Sequence, residues 1–180
     1  ERGRLFLGVQ GTACETGHIS VDVHGPRCEC GNYGCLEMYC SAPAILKKVQ
    51  ERVPECLPSE NPQSSDACTA VFEAARAGNQ KALDVVRETA EYIGYGCVTL
   101  INAYNPDIII LGDVVSQGGD LLLPIVQEVV RQRVIPELHT KVRIKISNLK
   151  VDPTLYGAAA TATDKVLQLP SKFSAAGKRG

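Results

Sequence analysis

The stretch Gln80–Leu111, QKALDVVRETAEYIGYGCVTLINAYNPDIIIL, decides the fold class. From Gln80 to Tyr104 the apolar residues recur at helical spacing, which predicts one long helix. Asn105-Pro106 stops it, because proline cannot continue a helix and restricts the residue before it. Asp107–Leu111 (DIIIL) is then a continuous apolar run bounded by turn residues, the pattern of a buried parallel strand. Upstream, Asp66 is placed to cap a helix running to Ala77, and Gly78-Asn79 ends that helix and caps the next. Downstream, Gly112–Gly119 reads as a loop and Asp120–Val134 as a helix with Pro124 in its first turn. Lys141–Ile146 (KVRIKI) alternates as a second strand. Tyr156–Leu169 is an Ala-rich helix, and Pro170–Gly180 reads as a flexible tail. Strands alternating with helices predict an α/β sheet with covering helices.

The first third is less regular. Arg4–Gln10 (RLFLGVQ) reads as a strand, and His18–Val23 (HISVDV) alternates as another. His24–Gly34 is a loop. A helix starts near Cys35 or Ser41, takes Pro43 in its first turn and ends near Arg52. Val53–Ser65, with three prolines, is a surface loop. Inside the long helix, Gly94 and Gly96 read as close-packing positions. Tyr92, Tyr95 and Tyr104 read as a core or interface stripe, and Cys56, Cys68 and Cys97 as small hydrophobes.

Composition narrows the function classes. The chain has 180 residues, enough for one moderate domain or half of a two-domain fold. With 19 basic and 20 acidic residues the net charge is −1, which gives no electrostatic case for nucleic-acid binding by this segment. No apolar run reaches the ~18–20 residues of a membrane span. The N-terminus lacks the layout of a secretory signal, so the expected location is cytoplasmic. Eight cysteines are too sparse for a small disulfide scaffold and are expected to be reduced thiols.

Three of those cysteines lie together. Cys28-Glu29-Cys30-Gly31-Asn32-Tyr33-Gly34-Cys35 spaces its thiols as C-x-C-x4-C among Gly25, Gly31 and Gly34. Glycines let a short loop fold back so that sulfurs converge. Zinc takes four tetrahedral ligands, so three cysteines leave one position open. His18, ten residues upstream of Cys28, is a natural fourth ligand. Cys14, His24 and Cys40 compete for that position. Three buried thiols in a turn is the bland alternative; a disulfide would leave an odd thiol unpaired.

Glu15-Thr16-Gly17-His18, Gly25-Pro26 and Cys28-x-Cys30-Gly31-x-x-Gly34-Cys35-Leu36-Glu37 together resemble the signature of the ROK family (repressors, open reading frames, kinases). Asn105–Gly112 (NPDIIILG) and Asp152–Ala159 (DPTLYGAA) also look like that family, and the resemblance extends over residues 3–169. It implies the C-terminal lobe of an actin-like (ribonuclease H-like) ATPase fold over residues 1–169, with an inserted zinc loop at 18–37. It implies zinc on His18, Cys28, Cys30 and Cys35, and a sugar, a hexose or derivative, on Glu15, His18 and Glu37. The family's D-x-G-x-T phosphate motif and its catalytic aspartate and neighbouring asparagine belong to the other lobe, so no catalytic residue is expected in this chain. The family's glycine-rich nucleotide loop falls on Gly112, Asp113, Gly118 and Gly119, where Asp113 and Val114 replace glycines. A carboxylate beside phosphate is repulsive and Val disfavours positive φ, which tilts the reading away from ATP. ATP-Mg is expected only if the parent protein is a kinase.

Three readings follow. The first is the sugar-binding part of a sugar-responsive transcriptional regulator whose helix-turn-helix lies upstream. The second is half of an ATP-dependent sugar kinase such as a glucokinase. The third is a zinc-stapled interaction domain. For either of the first two the resemblance implies a homodimer or tetramer, and none requires a membrane.

Overall fold

A computed structural model describes residues 5–65, 67–139, 141–149 and 153–168. It divides into two units, Glu1–Ile146 and Ser147–Gly180. The first holds the elements read from Gln80–Leu111.

Helix α4, Gln80–Tyr104, has the expected bounds. The Asn79 side chain accepts from the Ala82 N–H (3.1 Å), and Asn105 closes the other end in the left-handed conformation (φ 45°, ψ 57°). Both are caps that satisfy orphaned backbone groups. α4 carries Val85, Val86, Ala90, Cys97 and Ile101 into one core with Ile45, Leu46 and Val49 of α2 (Ala42–Arg52) and Val71 and Phe72 of α3 (Ala67–Arg76). Leu122, Val126 and Val130 of α6 (Gly119–Arg133) complete it. The two interior glycines do what their positions suggest. A Cβ at Gly94 would lie 2.7 Å from Val129 of α6, and one at Gly96 would lie 2.5 Å from Leu36. The Asp66 cap lies outside the described residues, as do Arg4, Asp152, Leu169 and residues 170–180.

Strands β1 (Ile108–Leu111) and β2 (Arg143–Ile146) pair in parallel, Ile108 opposite Arg143 and Leu111 opposite Ile146. Parallel neighbours need a long crossover. Here it contains α5 (Val114–Gln117), α6 and α7 (Pro136–His139). β1 is not buried on both faces as DIIIL implied. Ile109 and Leu111 pack on the core while Ile110 is 62% exposed, because the helices cover one face of this two-stranded sheet.

Other expectations give way too. Leu5–Gln10 is not a strand. Gly8 and Gly11 take positive φ (67° and 77°) and the Ala13 N–H bonds the Leu7 carbonyl, so the segment turns on itself rather than extending along a neighbour. His18–Val23 is not a regular strand. Thr16–His18 winds into a 3₁₀ turn, and only Ser20 bridges Cys35. Its partner segment bends at Gly31 and Gly34, both at positive φ, which breaks a longer ladder. The helix expected from Cys35 or Ser41 is two helices. α1 (Glu37–Cys40) ends at an extended Ser41, whose hydroxyl caps α2 through the Ala44 N–H with Pro43 in the first turn. The proline loop holds a 3₁₀ turn at Pro54–Cys56. The Gly112–Gly119 loop contains α5, and α6 begins at Gly119, so Pro124 sits inside that helix beyond its first turn. Tyr104 is 57% exposed, edge-on to Phe6, rather than part of a core stripe. The second unit is described by α8, Pro153–Gln168, in which Thr161 and Thr163 bond back to the carbonyls of Gly157 and Ala159.

Candidate metal centre

The segment from Cys14 to Glu37 has almost no regular structure, yet its backbone is tightly determined. The Val21 N–H bonds Gly34 O and the Leu36 N–H bonds Ile19 O, which zips the two ends of the loop together. Between them, the Cys28 N–H bonds Asn32 O (2.8 Å) and the Gly31 N–H bonds Cys28 O (3.0 Å), a turn closed by Gly31 at φ 92°. Gly34 has φ 60°, and a Cβ there would collide with the carbonyl of Asp22. Only glycine fits.

This path brings the ligand atoms of His18, Cys28, Cys30 and Cys35 within 4.8 Å of one another. His18 Nδ1 lies 3.6 Å from Cys28 Sγ, and Cys30 Sγ lies 3.6 Å from Cys35 Sγ. Zinc bonds of ~2.3 Å to sulfur and ~2.0 Å to nitrogen give tetrahedral edges of about 3.5–3.8 Å. The two 3.6 Å separations fit that tetrahedron. Cys28 and Cys35 are buried and Cys30 is exposed. Of the competing ligands, Cys40 points its thiol at the Leu36 carbonyl (3.3 Å) and Cys14 is exposed. Among the described residues the cluster draws its fourth member from His18.

Glu37 joins the cluster from the first turn of α1. Its Oε1 accepts from the Cys28 thiol (2.9 Å) and stands 3.2 Å from His18 Nδ1. That carboxylate pushes the Cys28 thiol up to about 12. The backbone N–H of Asn32 lowers the Cys30 thiol, and burial raises that of Cys35. The three sulfurs are therefore electrostatically inequivalent, with Cys30 the most readily ionised. Ligation needs thiolates, so binding a metal releases protons. Glu15 is exposed, and its carbonyl accepts from the His18 N–H (3.1 Å). Gly17, between Glu15 and His18 in sequence, lies against Glu37, and His18 and Glu37 are in contact.

Sequence reasoning missed the support behind this site. Tyr39 of α1 donates its hydroxyl to Asp22 Oδ2 (3.1 Å) and stacks on Tyr92 of α4 (centroids 4.0 Å, planes 15° apart). Burial and then Asp22 push the Tyr39 phenol up to about 12, so it remains a proton donor. Lys48, only 8% exposed, donates to the Tyr39 carbonyl (2.9 Å) and pairs with Glu88 (2.8 Å), which also holds Arg52. The available signal was a lysine among Ile45, Leu46 and Val49 on the apolar face of α2.

The loop after β1 is built differently. Asp113 takes φ 54°, ψ −143°, a conformation suited to glycine, with no side-chain cap to α5. Gly118 and Gly119 have ordinary φ and serve packing instead. A Cβ at Gly118 would lie 2.5 Å from Phe72, and one at Gly119 would lie 2.8 Å from Ile146. Arg76 of α3 clamps the region by bonding the Gln117 carbonyl and the Asp120 carboxylate.

An α/β unit with a Cys3His cluster beside a helix-borne carboxylate defines a narrow class. The chain belongs to the ROK family, whose model matches residues 2–165. The xylose repressor of Caldicellulosiruptor bescii is 30% identical over 171 residues, covering 93% of this chain and 43% of the relative. A crystal structure of a ROK family transcriptional regulator, a homologue of the Escherichia coli Mlc protein, superposes with a TM-score of 0.68 at 33% identity. That match covers 80% of this chain and 37% of the other. The ROK glucokinase of Streptomyces griseus, solved with glucose and AMPPNP, gives 0.63 at 29% identity, covering 79% of this chain and 48% of the kinase. The chain spans less than half the length of these relatives. No described helix is long and apolar enough to cross a membrane.

Proposed function

We propose that this chain is the sugar-binding, zinc-holding part of a sugar-responsive ROK transcriptional regulator. The observation that carries the reading is Glu37, which touches the Cys28 and His18 ligand atoms from the first turn of α1. His18, Cys28, Cys30 and Cys35 would hold zinc, whose role is to fix the loop. With Nδ1 turned to the cluster, the other ring nitrogen of His18 is left for a sugar hydroxyl, and the metal sets the ring's orientation. Glu15 and Glu37 would accept hydroxyl hydrogen bonds, which are stronger to a carboxylate than to a neutral acceptor. A neutral hexose or derivative suits such a site. In the full-length protein, sugar binding shifts the balance of two conformations and thereby DNA affinity, with DNA contact made outside this segment. A cytoplasmic homodimer or tetramer fits this reading.

The regulator is favoured over the kinase by Asp113, an acidic residue in a glycine-like backbone conformation in the loop expected to approach phosphate. The kinase reading draws on the likeness to the S. griseus glucokinase. The two separate in the full-length protein. Sugar-dependent operator binding without ATP turnover supports the regulator; hexose-dependent ATP turnover overturns it. Calorimetry with glucose and xylose tests the site itself. Glu37→Gln and Glu15→Gln should each weaken sugar binding about tenfold, whereas unchanged affinity in both would leave only a zinc-stapled interaction domain.

A further inference from the structure

The metal loop has no hydrophobic core of its own, so something outside it must hold its backbone in place. Leu36, between ligand Cys35 and Glu37, seats against Gly96 of α4, where any side chain would displace it. The second attachment is Tyr39. Its carbonyl is held by buried Lys48, its ring by Tyr92, and its hydroxyl by Asp22. Asp22 opens the turn that leads to Cys28. Its Oδ1 accepts from the His24 N–H (3.0 Å), and its carbonyl accepts from the Gly25 N–H (3.0 Å). The hydroxyl reaches Asp22 because residue 25 is glycine; a Cβ there would collide with the Tyr39 oxygen and stand 2.7 Å from the Gly34 Cα. One side chain thus spans from the helical core to the turn that delivers Cys28.

We propose that Tyr39 is a positioning residue for the metal loop, a strut from α4 to Asp22 that pre-forms the ligand set and slows metal loss. The inference rests on the metal reading above and adds to it a residue that binds no metal. A strut of this kind acts on metal retention through one identifiable hydrogen bond. Lys48 and Tyr92 fix the strut's base outside the loop it supports.

The test is Co(II) titration of the whole 180-residue chain, followed by ligand-field absorption, together with the rate of Co(II) release to a chelator. Tyr39→Phe keeps the ring on Tyr92 and deletes the hydroxyl. It should bind Co(II) about fivefold more weakly with the band shape of the parent chain and unchanged helical circular dichroism. Asp22→Ala breaks the same bond from the loop side and carries the test if Tyr39→Phe does not fold. Asp22→Asn, whose amide oxygen can keep the His24 N–H while its NH2 donates to the Tyr39 oxygen, should return affinity to within about twofold of the parent. The double variant Tyr39→Phe/Asp22→Ala should lose no more than the larger single loss. Parental affinity in both single variants, or fully additive losses, would overturn the strut while leaving the metal reading standing. Absence of tetrahedral thiolate absorption in the parent chain would overturn both.

Discussion

The ligand loop and the helical core hold their shapes by different means. In the core, α2, α3, α4 and α6 exclude water from aliphatic side chains, and Leu46, Val71, Phe72, Val85 and Leu122 are almost wholly buried. That stabilisation is spread over many contacts, each worth little. In residues 14–37 the only buried hydrophobic side chains are Cys28 and Cys35. Shape there comes from glycines at special φ, a few backbone hydrogen bonds and the convergence of four ligand atoms. A region built from many weak contacts tolerates a lost one in proportion; a region built on one convergence point does not.

The sharpest way to break the comparison is to remove a ligand. Cys35→Ser should abolish zinc retention, a loss on the order of 10 kcal/mol of loop-ordering energy. Amide hydrogen exchange should then accelerate across residues 18–37 and stay slow in α4. Equal acceleration in both regions would show that the loop and core are one cooperative unit. A core deletion should do the reverse. Leu46→Ala should lower unfolding free energy by about 3 kcal/mol in urea titration, while zinc content remains that of the parent chain.

Much of the core was legible because local rules and packing agree there. Asn79 caps α4, Asn105 closes it, and the apolar period between them needs no distant partner to be read. The Cys28–Cys35 spacing was legible for a related reason, since chemistry within eight residues is local. Strands were harder. Leu5–Gln10 and His18–Val23 have the side-chain pattern of strands, but a strand exists only where a neighbour completes its ladder, and periodicity does not reveal the neighbour. Ile110 shows the same limit, its exposure depending on what covers the second face of the sheet. The Tyr39–Asp22 and Lys48–Glu88 contacts join residues far apart in sequence; a lysine on the apolar face of α2 signals a buried cation, but no spacing names its partner.

Two smaller effects refine the contrast. Ser41→Ala removes the α2 cap at the junction of the two regions and should cost about 1 kcal/mol in the same urea titration, without changing the Co(II) band shape. Glu88 lies wholly on the core side. Burial raises its pKa, but the hydrogen bonds from Lys48 and Arg52 outweigh this and bring it below the usual carboxylate value. A lowered folded-state pKa gives stability that is fully present above the unfolded value and lost as pH falls through the folded one. Glu88→Gln should therefore flatten the acid limb of a stability–pH profile and leave the profile near neutrality parallel to that of the parent chain.

The central claim is that His18, Cys28, Cys30 and Cys35 form one zinc site that organises the loop bearing Glu37. Elemental analysis of chelator-free protein, paired with thiol titration under native conditions, tests it most directly. The account predicts close to one zinc per chain, with Cys28, Cys30 and Cys35 protected from thiol reagents until the metal is removed. Less than half a zinc per chain, with those three cysteines reacting as fast before chelation as after it, would contradict it.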